Sequence, residues 1–228
     1  MFTIGGTKIE PTKIICLGRN YLDHIKETNG PIPTEPVFFV KTLNTLITNN
    51  QPIIYPRILY ENQEFNRVDH EVELAFIMFQ TAKNVAARFA SEYIQGYTIF
   101  LDITARNMQI SDRNIKLPWY RSKNFDTFGP IGPKIIPCSD IDDPHNLDIH
   151  LKVNGELRQY SNTKHMLFKI PEIVEYISKF ITLKRGDIIA TGTPSGIKPI
   201  VPGDIIEASI EKIGKITHEV ILEEEQNL

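Results

Sequence analysis

The sequence predicts a β-rich α+β fold, a mixed β-sandwich or β-roll with a few peripheral helices. Three observations predict it. Short runs rich in β-branched and aromatic residues, bounded by Gly, Pro, Asn and Asp, outnumber the helical patterns. Strands and helices do not alternate regularly, which argues against a doubly wound sheet or a β/α barrel. Apolar residues make up 41% of the 228, enough for a sizeable core within one domain spanning 1–228.

In chain order, strands are predicted over 13–17, 37–41, 53–55, 72–78, 96–102, 147–153, 188–191 and 205–210. The last two each follow a Gly-Asp turn, so the repeated Gly-Asp-Ile-Ile reports local turn chemistry rather than a duplicated domain. Helices are predicted over 21–27, 83–93 and 171–179. The first is short and too polar for a core helix. The second places Val85, Ala86, Phe89, Ala90 and Tyr93 at helical spacing, with Gly96 beyond its end. The third opens on Pro171 and repeats Ile173, Val174 and Ile177.

Charge and composition exclude several classes of function. A net charge of −3 offers no basic excess to hold a phosphate backbone, so nucleic acid is not an expected partner. The N-terminus lacks the pattern of a secretory signal, and the apolar run 74–79 is far short of the ~20 residues that span a bilayer. A cytoplasmic protein with no membrane segment is expected. Cys16 and Cys138 are too few for a disulfide framework and lack metal-ligand spacing, so both are read as reduced, partly buried thiols. The acidic tail 223–225 reads as a frayed, solvated end.

The stretch DHEVELAF carries the chemistry. Alternation along a strand puts Glu71 and Glu73 on one side with Ala75 and Ile77, and Val72, Leu74, Phe76 and Met78 on the other. Two like charges ~6 to 7 Å apart on a half-buried face need a compensating cation. Asp102, closing the apolar run GYTIFLD, is the next acid in a comparable setting. Three carboxylates without a Cys or His cluster form a hard, all-oxygen site suited to Mg²⁺ or Mn²⁺, less to Ca²⁺, and poorly to zinc. The competing reading leaves Glu71 and Glu73 facing solvent on an edge strand, with Asp102 as a cap. Lys123, in RSKNFDTFGP, is the cationic companion, a compact point charge able to stabilise an enolate or carboxylate oxygen.

Seven segments occur in order across nearly the whole chain: CLGRNYLDHIKE, EPVFFVK, HEVELAF, GYTIFLDITARNMQ, KNFDTFGPIGP, KVNGELRQ and GDIIATGTPSGI. Together they resemble the fumarylacetoacetate hydrolase family, especially its compact, single-domain acylpyruvase and oxaloacetate decarboxylase branch. The resemblance implies one catalytic domain, with residues to about 55 giving N-terminal strands and a lid helix and the remainder a metal-binding β-roll. It implies that Glu71, Glu73 and Asp102 bind Mg²⁺ or Mn²⁺, and that a 2-oxo acid chelates the ion through its carboxylate and 2-oxo oxygens. It places Lys123 and Gln109 beside that acid, Thr193 donating to it, and Arg19 on its carboxylate or distal oxygen, with Lys41 a weaker candidate. His24 and Glu27, three residues apart on a short helix, become the dyad that activates water. A homodimer is implied as well.

The expected reaction is hydrolysis of a 3-acylpyruvate, of the acetylpyruvate or fumarylpyruvate type, to pyruvate and a carboxylic acid. Oxaloacetate decarboxylation shares the electron sink. The alternative is isomerisation or tautomerisation of an enol or dienol acid, as in a 2-hydroxyhepta-2,4-diene-1,7-dioate isomerase. Outside this class stand a metal-dependent nuclease, which the acidic balance disfavours, and a metal-stabilised β binding module. Two positions depart from the family pattern: Asn107 stands where an Asp is expected, and His218 where Asn is common. An Asn at 107 is expected to alter support of Arg106 or of the metal ligands.

Overall fold

The computed structural model describes residues 1–224. Its centre is a seven-stranded mixed sheet in the order Val37–Lys41, Ile14–Gly18, Ile188–Ala190, Val72–Met78, Ile94–Leu101, Gly129–Pro137, Leu46–Thr48. A five-stranded sheet runs Glu156–Asn162, Asp148–Val153, Ile205–Ile210, Gly214–Leu222, Ile53–Tyr55. A small three-stranded sheet joins Thr104–Ala105, Val68–Asp69 and Pro199–Ile200, and a hairpin pairs Phe2–Ile4 with Thr7–Ile9. The β-rich α+β reading therefore holds. Among the described residues no helix is long and apolar enough to cross a membrane.

Val72–Met78 sits fourth of seven strands, so the edge-strand reading of its acids fails. Its side chains divide as alternation requires. Val72, Leu74, Phe76 and Met78 join a large cluster that includes Ile149, Leu151, Ile206 and Ala208 of the second sheet and Ile173, Val174 and Ile177 of helix Ile170–Phe180. Ala75 and Ile77 join a smaller cluster with Ile14, Cys16, Ile131 and the hairpin residues Ile4 and Ile9. Both faces are covered, and every residue from Val72 to Met78 is buried. Two acids at the mouth of such a strand have therefore left water and need partners.

Most expected strands lie within two residues of where they are found, and the differences elsewhere have physical causes. Residues 83–86 are not helical: the N–H groups of Asn84 and Val85 donate to Ser178 O and Oγ on the neighbouring helix, and only Ala87–Tyr93 continues, as a 3₁₀ turn. Helix Arg106–Asn114 was not expected because its buried residues are Arg106, Met108 and Asp112, which form no apolar stripe. Helices Arg57–Tyr60 and Tyr120–Lys123 are single turns. Strand Gly129–Pro137, GPIGPKIIP, is obscured by its own Gly and Pro residues. The helix Leu22–Glu27, expected to be peripheral, buries His24 and Ile25. Glu223 and Glu224 are exposed, but Glu223 is not frayed: its N–H donates to Tyr55 O and its carboxylate accepts from Arg57 N. Glu225 lies outside the described residues. Cys16 is buried and Cys138 half-buried, both free.

His218 lies in the second sheet, far along the chain from the acids. Its Nδ1–H donates to Gln51 O at 2.8 Å, and its buried Nε2 has no hydrogen-bond partner among the described residues. Burial holds its pKa below the ordinary 6.5, against a smaller upward pull from that hydrogen bond. Below that pH the unfolded chain takes up a proton that the folded chain refuses, so stability falls by up to about 1.4 kcal/mol per pH unit for each such histidine. His70 and His145, also held low by burial, act in the same sense. Urea unfolding at about pH 5.5 and about pH 7.5 is expected to show the lower stability at the acid end, with a smaller difference in H218N. An unchanged difference in the variant would remove His218 from this effect.

Candidate active site

Strand register brings the three acids together. Val72 pairs with Leu101, and Asp102 N donates to Glu71 O at 2.9 Å, so an acid 31 positions along the chain from Glu71 arrives beside it. One carboxylate oxygen from each of Glu71, Glu73 and Asp102 lies within 4.8 Å of the others. Their exposures are 4%, 1% and 1%.

Three buried cations face them. Lys123 Nζ donates to Glu71 Oε2 at 3.0 Å, Asp102 Oδ2 at 2.5 Å and Thr104 Oγ1 at 2.6 Å. Lys41 Nζ donates to Asp102 Oδ1 at 2.8 Å and to Lys123 O at 2.5 Å. Arg106 Nη2 donates to Glu71 Oε1, its Nε to Asp69 Oδ2 at 2.8 Å, and its Nη1 to Gln109 Oε1 at 2.5 Å. Glu73 is different: among the described residues its carboxylate accepts only the Gly192 N–H, on Oε2 at 2.8 Å. Gly192 adopts φ +91°, and a Cβ there would come within 2.9 Å of Asn20 Cβ, so this close turn needs glycine.

The ionisation follows from this pairing. Burial pushes the Glu71 carboxyl up, but Lys123 and Arg106 outweigh it and hold the group well below the usual carboxylate range. For Glu73, burial and the charges of Asp102 and Glu71 all push upward, and Lys123 does not compensate. Burial pulls Lys123 down, yet Asp102 and Glu71 raise it above its ordinary value, so it is a fixed cation. The three carboxylates fit a hard divalent ion: the donors are all oxygen, they converge, and Glu73 is left under-neutralised.

The acids form one wall of a cavity of about 310 Å³ that is also lined by His24, Glu27, Arg19, Gln109, Thr193 and Lys123. Arg106, Arg113 and Trp119 complete its sides. Helix Leu22–Glu27 closes over it. Asp23 Oδ2 accepts from Ser195 Oγ at 2.8 Å, Glu27 Oε1 accepts from Gly196 N at 3.0 Å, and His24 Nδ1 lies 3.3 Å from Glu27 Oε2. A carboxylate at Nδ1 leaves His24 Nε2 as the basic atom.

The sequence-predicted site residues thus surround one cavity, with one correction. Lys41 does not line the cavity; it is fully buried behind Asp102, where it fixes that carboxylate and the Lys123 carbonyl. Thr193 lines the cavity, and its hydroxyl is engaged within the protein, donating to Val72 O at 2.9 Å and accepting from Gln159 Nε2 at 2.8 Å, so a donor to a ligand there would be its main-chain N–H. Asn107 gives Arg106 no support; its Nδ2 donates to Glu64 O, while Asp69 and Glu71 hold Arg106. Asp69 and Arg113 were missed. Asp69 shares the parity of Glu71 and Glu73, and Arg106, Gln109 and Arg113 stand at i, i+3 and i+7 on one helix face, so both signals were present.

Comparison with known proteins agrees with this architecture. An uncharacterised protein of Pyrococcus abyssi is 51% identical over 223 residues, covering 98% of this chain and 96% of its own. The mitochondrial oxaloacetate tautomerase FAHD1 of Arabidopsis thaliana is 42% identical over 209 residues, covering 92% and 91%. The crystal structure of fumarylpyruvate hydrolase from Pseudomonas aeruginosa, in complex with Mn²⁺ and pyruvate, superposes with a TM-score of 0.87 at 29% identity, covering 97% of this chain and 95% of that one. The family model for the C-terminal domain of fumarylacetoacetate (FAA) hydrolase matches residues 13–221. With that match over most of its length, the chain belongs to the fumarylacetoacetate hydrolase family.

Proposed function

We propose that the protein is a Mg²⁺- or Mn²⁺-dependent enzyme that carries a 2-oxo acid through its enolate. Keto–enol tautomerisation of oxaloacetate is the first reaction we assign, and hydrolysis of a 3-acylpyruvate the second. The observation that carries the reading is the convergence in one cavity of three buried carboxylates, a buried lysine and a His–Glu pair. The 42%-identical tautomerase favours proton transfer as the principal chemistry, and the fumarylpyruvate hydrolase favours the second.

Glu71, Glu73 and Asp102 would hold the ion, which when bound would supply Lewis-acid polarisation of the 2-oxo group. The chain's own residues perform the proton chemistry. In tautomerisation, His24 Nε2 takes a proton from C3 of the keto acid, the C–H electron pair forms the C2–C3 double bond, and the 2-oxo oxygen becomes an enolate held by Lys123. The proton on His24 then passes to that oxygen, which completes the enol and returns His24 to its neutral form, and the reverse sequence returns the keto form. Glu27 at Nδ1 stabilises the imidazolium that forms. Arg19 and Arg113 lie on the cavity wall, which supports assigning them to the second carboxylate. In acylpyruvate hydrolysis His24 takes its proton from water instead; hydroxide adds to the distal carbonyl, the C3–C4 bond breaks, and pyruvate enolate and a carboxylic acid result.

The test follows oxaloacetate enol absorbance and, separately, pyruvate release from acetylpyruvate, with Mg²⁺, with Mn²⁺ and with chelator. Activity is expected with either ion and none with chelator. His24→Ala is expected to slow both proton-dependent reactions by about 10²- to 10⁴-fold. Loss of carbon dioxide from oxaloacetate requires no base at C3 and should decline far less. An equal decline in all three assigns the helix a positioning role, and a protein that turns over neither substrate overturns both assigned reactions and leaves the dienol-acid isomerase reading to be assayed.

A further inference from the structure

We propose that Gln159, which does not line the cavity, is a positioning residue that ties the metal-ligand strand to the pocket-wall turn and so sets the affinity of the site for its ion. The proposal rests on the metal-dependent reading above.

Gln159 is completely buried, although it lies on the polar strand Glu156–Asn162, ELRQYSN. Alternation would place Leu157, Gln159 and Ser161 on one face. The ladder instead slips by one residue: Leu151 pairs with Gln159 but Lys152 pairs with Leu157. This bulge, at Arg158, turns Leu157 outward, 52% exposed, while Gln159 stays in register with the buried Leu151 and faces the interior with Ser161. A strand that buries an amide and exposes a leucine is arranged for the amide's hydrogen bonds.

All four of those bonds are made, and their directions are unambiguous. Gln159 Oε1 accepts from Val72 N at 3.1 Å and from His70 Nδ1 at 2.9 Å. Gln159 Nε2 donates to Pro194 O at 2.9 Å and to Thr193 Oγ1 at 2.8 Å. A main-chain N–H can only donate and a carbonyl can only accept, so the amide has one possible orientation and His70 carries its proton on Nδ1. The Thr193 hydroxyl then donates to Val72 O at 2.9 Å, which closes a ring from Val72 through Gln159 and Thr193 back to Val72.

The ring meets the site at two points. Val72 lies between Glu71 and Glu73, and Thr193 follows Gly192, whose N–H is the hydrogen bond held by Glu73. Glu73 therefore depends for its orientation on the same turn that Gln159 clamps. Neither contact requires Gln159 to touch substrate or ion.

The test is Mn²⁺ affinity measured by electron paramagnetic resonance on the full chain, beside Tm and steady-state kinetics. Gln159→Met keeps the side-chain length and removes every bond. It is expected to raise the Mn²⁺ Kd about 10-fold or more and to lower kcat more than it changes KM. Ser178→Ala, which removes a buried hydrogen bond to Val85 N far from the cavity, is the control, expected to lower Tm without changing the Mn²⁺ Kd. If Gln159→Met does not fold, Thr193→Val opens the same ring more gently and should also raise the Kd. A Tm loss with Kd within about two-fold of wild type in the folded variant overturns the proposal. Wild-type protein that binds no Mn²⁺ overturns the metal reading itself, a different result from equal binding by wild type and variant.

Discussion

Replacing Lys123 by Met is expected to lower kcat by about 10²- to 10³-fold while Mn²⁺ binding survives. Lys123 is 2% exposed and its ammonium touches two of the three carboxylates as well as Thr104. On the proposed reading it is the fixed positive charge that holds the enolate oxygen. Its removal has a second, opposite consequence. Glu71 keeps Arg106 and Asp102 keeps Lys41, but each loses a partner in a buried setting, and breaking such a pair costs about 3–5 kcal/mol. The ion-free variant should therefore melt well below wild type, and Mn²⁺ should restore more stability to it than it adds to wild type, because the ion then replaces a missing cation. Melting curves with and without Mn²⁺, read beside initial rates, check both halves. Unimpaired turnover, or loss of Mn²⁺ binding as complete as that of a ligand variant, would contradict the role assigned to Lys123.

Glu73→Gln should behave in the reverse way. Burial and the neighbouring acids push the Glu73 carboxyl upward, so in the ion-free protein the neutral form is favoured, and Gln reproduces its shape and charge. The ion-free variant is expected to melt no lower than wild type. What disappears is the response to metal: an ion present at 100 times its Kd stabilises the native state by about 2.7 kcal/mol, and this gain should be absent, together with activity. A variant that still gains stability from Mn²⁺ would mean that Glu73 is not a ligand. Together the two substitutions would separate a residue proposed to work on the substrate from one proposed to hold the ion.

Much of this site could be read without coordinates because its central feature is periodic. A strand turns each second residue to the same side whatever surrounds it, so Glu71 and Glu73 were adjacent by chain geometry, as Asp69 was too. Helical spacing likewise placed His24 beside Glu27. The helix Arg106–Asn114 escaped because an apolar stripe is the usual sign of a buried helix face, and this one buries an arginine and an aspartate. Thr193 was assigned a donor role that its hydroxyl cannot fill, since Val72 O lies 121 positions away in the chain and 2.9 Å away in space. Gln159 was hidden by the polar strand around it, whose one aliphatic residue, Leu157, is turned outward by a bulge.

The amino-acid order by itself determined the β-rich class, the shared side of the two glutamates and the hard-oxygen character of the centre, because these depend on composition and on periods of two or three to four residues. Only the tertiary structure decided which charges meet. Lys41 turned out to be the cation behind Asp102 rather than a ligand contact, Arg106 became the partner of Glu71, and Gln159 became the clamp across the pocket wall. Strand register and tertiary packing set those contacts between residues 34 to 89 positions apart. No local pattern encodes a contact whose two halves lie in different sheets.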